Sequence, residues 1–345
     1  MYNNLTKDLP FVTVNILAHN RVREVDITLD KITNHLHYPS DMYEIIVVDN
    51  ASTDGTYELI KQKYPKVKII RLEKNVGIAG WNEGFKIGQG DYFLVLDDDA
   101  YIEGNTLTKL VNRVRKYSIN LLSMKVINPY TMEEYTKSYP TGLLSFWGCA
   151  VLISKDTIKE AGYYDENIFV WAHELEYTIR ILSRGLNHCY SPDIIAYHMK
   201  KNTHSDRQKL KISYRYNTKH IFYIAGKYFR GKYAYLVLSN LITTTIYTNL
   251  VYVLKGIITA VEMKENIREF LSFYDKGRKV KFKINENLQK TYLNSFIEFQ
   301  NILTRKFYRH TFYNKNSIFY PESNPAIIRL RSNLLDVLEI KEIDT

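Results

Sequence analysis

Cysteine is scarce in this 345-residue chain: Cys149 and Cys189 are the only two. That excludes a disulfide framework and a cysteine-based zinc site, and it points to a reducing compartment. The first ten residues, MYNNLTKDLP, contain no apolar core, so no secretory leader is expected there. Neither a GxGxxG turn nor a GxxxxGK[ST] loop occurs, which removes the dinucleotide fingerprint and the P-loop. Repeats and low-complexity tracts are absent. Charge is missing from all 21 positions between Ala234 and Leu254, and acid is nearly missing from Lys200 to Lys232, where Asp206 stands against ten Lys/Arg.

A hydrophobic fraction of 45% and an aromatic fraction of 14% are enough for a large packed core. The formal net charge of +10 asks for an anionic partner: a nucleotide phosphate, an anionic membrane or nucleic acid. No recognisable DNA- or RNA-binding module appears, and the positive charge gathers just before the uncharged stretch, so a nucleic-acid partner is not expected.

The stretch YFLVLDDDA, residues 92–100, organises the rest. A run of five apolar or aromatic residues predicts a buried strand, and it ends in Asp97, Asp98 and Asp99. Adjacent carboxylates repel and are costly to bury unpaired. They suit a strand's C-terminal end, where a hard cation meets a phosphate ligand. Upstream, strands are predicted at 11–20, 44–50 and 67–72, with helices at Thr28–His37, at Thr56–Lys63 and after the glycine-bearing loop that begins at Asn75. Downstream, a helix is expected over Thr106–Tyr117, strands at 121–127 and 149–154, and a short helix at Lys155–Glu160. A helix then fits HELEYTIRILSRGL, with two short strands around Cys189 and Ile194–Tyr197. Strands alternating with helices predict a mostly parallel α/β sheet.

Four clusters are candidates for one cleft. Asp49 ends the second strand, where its carboxylate suits the imide N–H of a pyrimidine. Asn75, Gly77 and Gly80 form a turn that lets backbone approach a nucleotide. The three acids offer oxygen ligands for Mg²⁺ or Mn²⁺, and an added imidazole favours Mn²⁺. Glu174 and Glu176 open a predicted helix. Glu176 and Arg180 stand at i, i+4 and are placed to pair, which leaves Glu174 freer as a base. His198 ends a strand as a ligand or a rim residue. The uncharged segment reads first as an interfacial or groove-forming helical hairpin, with an internal core helix and a membrane span as its competitors.

With these residues in view, the chain resembles the family 2 glycosyltransferases of GT-A fold, in particular the rhamnosyl- and galactofuranosyltransferase-like branch. The matching segments are VTVNILAHNR, IIVVDNASTDGT, RLEKNVGIAGWNEGF, FLVLDDDA, FWGCAVLISKDTIKEAGYYDENIFVWAHELEYTIRILSRG and the terminal YH, over roughly residues 11–200. The resemblance implies a single Rossmann-like, mostly parallel sheet at 1–204 and a mainly helical C-terminal region at 205–345. It implies a donor-binding set of Ala18, Asn20, Asp49, Asn75, Gly77, Asn82, Asp97, Asp98 and Trp147, with Trp147 and Gly148 on the acceptor side. Asp97, Asp99 and His198 are the implied ligands of Mn²⁺ or Mg²⁺. Glu174 is the implied catalytic base, with Glu176 and Arg180 beside it. His173 stands where the family usually has an acid, and Glu174 where aspartate is common. Arg215 and Asn217 resemble the family's basic region after the catalytic domain.

The implied reaction is inverting transfer from a UDP- or dTDP-sugar to a saccharide or lipid-linked saccharide, in the cytoplasm on the inner face of the membrane. Self-association is left open. The competing readings are a catalytically inactive relative and a sugar-nucleotide pyrophosphorylase; the start of the chain lacks the latter's Gly-rich basic phosphate loop.

Overall fold

The computed structural model describes residues 9–136, 146–199 and, apart from 283, 287, 288 and 291, residues 207–293. Residues 137–145 and most of the chain after residue 278 therefore lie outside the described residues. The described part of residues 1–295 forms one compact unit.

Strand β1 (Val12–Ala18) sits among β2 (Tyr43–Asp49), β3 (Lys68–Arg71) and β4 (Tyr92–Asp97), all parallel. The sheet continues through β7 (Ala150–Ser154), β6 (Leu121–Ile127), β8 (His188–His198) and β5 (Ala100–Tyr101). Its order is β3-β2-β1-β4-β7-β6-β8-β5. β7 runs antiparallel to both β4 and β6, and β5 to β8, so the sheet is mixed but mostly parallel, as expected, with only these two strands reversed. Helices α1 (Val22–His35), α2 (Thr56–Lys63), α3 (Trp81–Ile87) and α4 (Thr106–Tyr117) alternate with the first strands. α5 (Lys155–Ala161) and α6 (His173–Ser183) precede β8.

Both faces of β1 are covered. Val12, Val14 and Ile16 join Val25, Leu29 and Ile32 of α1 in the main core. On the α3 side, the buried Asn15 amide donates to the Trp81 carbonyl at 2.9 Å. Burial on both faces explains the near-continuous apolar run.

α1 begins six residues before the expected Thr28. The start is secured by Asp54, whose carboxylate accepts from the Val22 amide at 2.9 Å. A cap donated by a loop 32 residues away leaves no local signature. The two expected short strands near Cys189 are one strand, β8. Its pairing with β6 jumps from Met124↔Ser191 to Lys125↔Ile195. Pro192, which has no amide to donate, falls in that jump.

The C-terminal region contributes α7 (Arg207–Tyr228), α8 (Gly231–Leu254) and α9 (Ala260–Arg278). The uncharged stretch lies within one continuous helix of 24 residues. α7 turns part of its basic character toward α9: Arg215 pairs with Glu269 at 2.6 Å, Lys219 with the same acid at 3.6 Å, and Lys211 with Glu262.

Candidate active site

The C-terminal ends of β1, β2 and β4 lie side by side, so the turns that follow them share one cleft. Ala18 pairs with Asp49, and its carbonyl accepts from the Asn50 amide at 2.8 Å. Asn20, in the left-handed region at φ 52°, ties this corner to the next turn. Its side-chain oxygen accepts from the Thr53 amide at 2.8 Å, and its own amide donates to the Ser52 hydroxyl at 3.0 Å. Asn50 then holds the next loop, donating to Asn75 at 2.9 Å and to the Gly77 carbonyl at 3.0 Å. Gly77 has φ +65°, and a Cβ there would stand 1.9 Å from the Phe169 carbonyl oxygen. Only glycine fits that turn.

Asp49 is fully buried. One oxygen accepts from the Ser52 amide at 3.0 Å; the other has no hydrogen-bond donor, and the Arg71 Nε is 3.5 Å away. Asn82 behaves differently from the donor contact expected of it. Its amide donates to the Tyr164 carbonyl and accepts from the Tyr164 amide, both at 3.0 Å, so it braces α3 against the 162–172 loop.

The three aspartates divide their work. Asp97 and Asp99 meet His198, whose Nε2 lies 3.8 Å and 3.0 Å from their carboxylates. One ligand atom from each of these three residues falls within 4.8 Å of the others. Asp98 turns instead to the end of β1. It accepts from the His19 amide at 2.9 Å and from Arg21 Nη1 at 3.1 Å. Arg21 also donates to Asp99 and thus spans two of the three acids. It went unassigned in the sequence reading, although it directly follows the AHN corner at the end of β1.

Crowding three acids makes ionisation hard. Packing around Asp97, a third of whose side chain still reaches solvent, and the charge of Asp99 alongside push it up to about 6, and burial pushes Asp98 up to about 8 against the pull of Arg21. Burial acts on Asp99 too, but the hydrogen bond from His198 and the charges of His198 and Arg21 hold it below the usual range. Two carboxylates and the Nε2 of an imidazole, gathered within 4.8 Å, are a donor set that fits a divalent cation. Tyr135 packs edge-on to His198 at 5.8 Å and stacks on Trp147 at 6.2 Å, forming an aromatic wall beside that set.

The segment after this wall links the aspartates to α6. The Cys149 carbonyl accepts from the Asp97 amide at 3.1 Å. The preceding Gly148 lies against Glu174 and His173 so closely that a Cβ would stand 2.7 Å from both Glu174 Oε1 and His173 Nε2. Glu174 keeps 17% of its side chain exposed. His173, caged by Trp81, Phe146 and Tyr164, places Nδ1 at 3.2 Å from Glu174 Oε2, out of line for a hydrogen bond.

Glu176 and Arg180 are not beside the base. Glu176 is buried and saturated by Arg180, Lys227 and Tyr228 at 2.7, 2.7 and 2.5 Å. Arg180 donates to Glu176 and to the carbonyls of Ala161 and Tyr163. Both belong to a structural ion cluster with no open face for a substrate, which corrects the catalytic role expected of them. Glu174 is the one carboxylate in the first turn of α6 that remains free for chemistry.

Residues 13–172 match the family described as glycosyl transferase family 2. A dolichyl N-acetyl-α-D-glucosaminyl phosphate 3-β-D-2,3-diacetamido-2,3-dideoxy-β-D-glucuronosyltransferase of Methanococcus voltae is 25% identical over 230 residues, 59% of this chain and 71% of that protein. Glycosyltransferase AglE of Haloferax volcanii is 24% identical over 210 residues, 56% and 68% of the two chains. Among solved structures, a mannosyltransferase of Pyrobaculum calidifontis in complex with GDP-Man and Mn²⁺ superposes with a TM-score of 0.54 at 16% identity, covering 90% of this chain and 89% of that one. S. aureus TarS 1–349 in complex with UDP gives 0.54 at 16% identity, covering 90% and 94%.

Proposed function

We propose that this chain, whose fold is GT-A and whose residues 13–172 match glycosyl transferase family 2, carries out metal-dependent, inverting transfer of a sugar from a nucleoside diphosphate to a saccharide or lipid-linked saccharide hydroxyl. The observation that carries it is the short path between two chemistries: Cys149 is bonded to Asp97, while the neighbouring Gly148 lies against Glu174.

Glu174 takes the proton from the acceptor hydroxyl, which attacks the anomeric carbon on the face opposite the nucleotide and inverts the configuration there. Gly148 and the aromatic cage of His173 confine this carboxylate and limit water, whose attack on the donor competes with transfer. Asp97, Asp99 and His198 would hold a divalent cation, which supplies Lewis-acid charge against the leaving diphosphate. Arg21 adds fixed positive charge at the same point. The free oxygen of Asp49 suits a base N–H, and the Asn20 and Asn75–Gly77 corners frame the nucleotide.

The sugar named by the rhamnosyl and galactofuranosyl resemblance is one candidate among several, since the relatives carry glucuronosyl and other names. Residues 205–345 we take as an accessory region working at an anionic membrane surface on the cytoplasmic side. The support is α8, whose outward Ile246, Leu250 and Leu254 are exposed and whose ends are flanked by Lys232 and Lys255. Lys211, Arg215 and Lys219 face α9 and do not provide that contact.

Incubation with UDP-, dTDP- and GDP-sugars plus Mn²⁺, scored for donor hydrolysis and nucleotide binding, tests the reading. The absence of both turnover and binding with every one of them overturns it. Glu174→Gln is expected to lower transfer by about 10²–10⁴-fold while sparing nucleotide affinity; transfer that survives would show the base to be another residue.

A further inference from the structure

Four side chains on α7 grip the segment that leads into the base. His220, fully buried, donates from Nδ1 to the Val170 carbonyl at 2.7 Å, and its Nε2 accepts from the Phe169 amide at 3.3 Å. Tyr223 donates to Asp165 at 2.8 Å. Lys227 places one ammonium 2.7 Å from Asp165 and 2.7 Å from Glu176, bridging the two ends of residues 165–176. Tyr228 completes the set with its hydroxyl on Glu176 at 2.5 Å. The spacing of 220, 223 and 227 keeps the first three on one face of the helix.

Between these anchors the chain does something costly. Trp171 and Ala172, neither of them glycine, both adopt left-handed backbone, with φ of 57° and 61°. Such strain persists where surrounding contacts over-determine it. Here the turn delivers His173 and Glu174 at the start of α6. The same segment reaches the donor loop, because the Phe169 carbonyl accepts from the Ile78 amide at 2.8 Å. Burial opposes ionisation of both acids, but the charge of Lys227 holds Asp165 down to about 2, and Arg180 with Lys227 holds Glu176 below the usual range.

We infer that α7 is part of the catalytic apparatus: Lys227, with His220 and Tyr228, acts as a positioning residue that holds the strained 169–172 turn and thereby aims Glu174 at the acceptor hydroxyl. The inference rests on Glu174 being the base. None of the three touches a substrate; they act through Asp165, Glu176 and the backbone of Phe169 and Val170. The helical region after residue 204 is then required for transfer and is not a detachable anchor.

The test uses the full chain, with Lys227→Met, Lys227→Arg and the milder Tyr228→Phe. Three readouts are compared: UDP and GDP affinity with Mn²⁺, the thermal midpoint, and transfer with the donor found active in the panel. Lys227→Met should lower transfer kcat by roughly ten- to a hundredfold while nucleotide affinity stays within about twofold, because the base is displaced and the donor site is not. Lys227→Arg should restore much of the loss, since a guanidinium reaches both acids. Tyr228→Phe, which removes one hydroxyl from a packed site, should lower kcat in the same direction by a smaller factor.

A double-mutant cycle with Glu174→Asp separates positioning from general loosening. With a shortened, already misplaced base, Lys227→Met should cost less than it does alone, whereas a purely structural role gives additive losses. Unchanged kcat in folded Lys227→Met or Tyr228→Phe overturns the inference, as does additivity in the cycle. A Glu174→Gln enzyme that still transfers overturns the base assignment itself, and the two failures are distinguishable.

Discussion

At the residue scale, chemistry follows from what each carboxylate is left with after its neighbours have taken their share. Asp99 has His198 and Arg21, Asp98 has Arg21 and the His19 amide, and Asp97 remains a third exposed at the mouth of the set. Asp99→Asn or His198→Gln should weaken Mn²⁺ binding by at least about tenfold, read by calorimetric titration of the nucleotide-free protein. Unchanged affinity in both would place the cation elsewhere. His188 and His220 give a second prediction. Burial lowers both to about 4 from an ordinary 6.5. Below 6.5 the unfolded chain takes up protons that the folded chain refuses. The stability these residues confer is therefore complete above 6.5 and is lost as pH falls toward 4, at about 1.4 kcal/mol per pH unit for each histidine. Because Asp97 and Asp98, raised in the fold, oppose that trend over the same range, the decline is read as the difference in urea unfolding between the parent and His188→Gln at pH 7, 6 and 5; a difference that does not change with pH would mean that the ring titrates in the fold as it does in the unfolded chain. The presence of three acids at one strand end was legible in the sequence. The grouping of Asp97 and Asp99 with His198 was implied by the resemblance; the tie of Asp98 and Asp99 to Arg21 was not legible, because it depends on how the turn between β1 and α1 folds against them.

At the element scale, boundaries were legible where breakers are local. α2 over 56–63, α4 over 106–117 and β6 over 121–127 stand where expected, α2 being followed by Pro65. The start of α1 and the continuity of β8 were not, since one depends on a distant cap and the other on pairing that tolerates Pro192. The crossing of α7 and α9 is also tertiary. A Cβ on Gly226 would stand 2.1 Å from the Tyr274 carbonyl oxygen, and one on Gly277 2.2 Å from that of Tyr223, so the helices touch backbone to backbone. Gly277→Ala should cost about 1–3 kcal/mol through forced separation, seen as a lower urea midpoint. Because Tyr223 and Lys227 flank that crossing, transfer should fall with it. A variant as stable as the parent would mean that the helices can part freely.

At the scale of the whole molecule, a charge of +10 and a helix that carries no charge from Ala234 to Leu254 ask where the protein works. α8 buries Val237, Leu241, Thr245, Thr248, Asn249 and Tyr252 and leaves Ile246, Leu250 and Leu254 outside. That two-faced burial suits a helix lying at a surface better than one ringed by lipid. Flotation with anionic liposomes should show binding that weakens from low to high salt, and Ile246→Asp with Leu250→Asp should reduce it without changing nucleotide affinity. Salt-resistant binding would indicate a span instead. The sequence by itself determined most of the alternation of strands and helices, the acids at the strand ends and the uncharged run at 234–254, though not that this run is one helix and no hairpin, because hydrophobic period and local breakers act over a few residues. Only the tertiary structure decided that Lys227 and Tyr228 join Arg180 on Glu176, that Asn82 braces a loop, and that α7 grips the turn before Glu174. Those outcomes rest on partners far away in the chain, such as Lys227 meeting Glu176 across 51 residues. A short-range pattern cannot specify which of two neighbouring carboxylates a distant ammonium will neutralise; packing at the helix interface does.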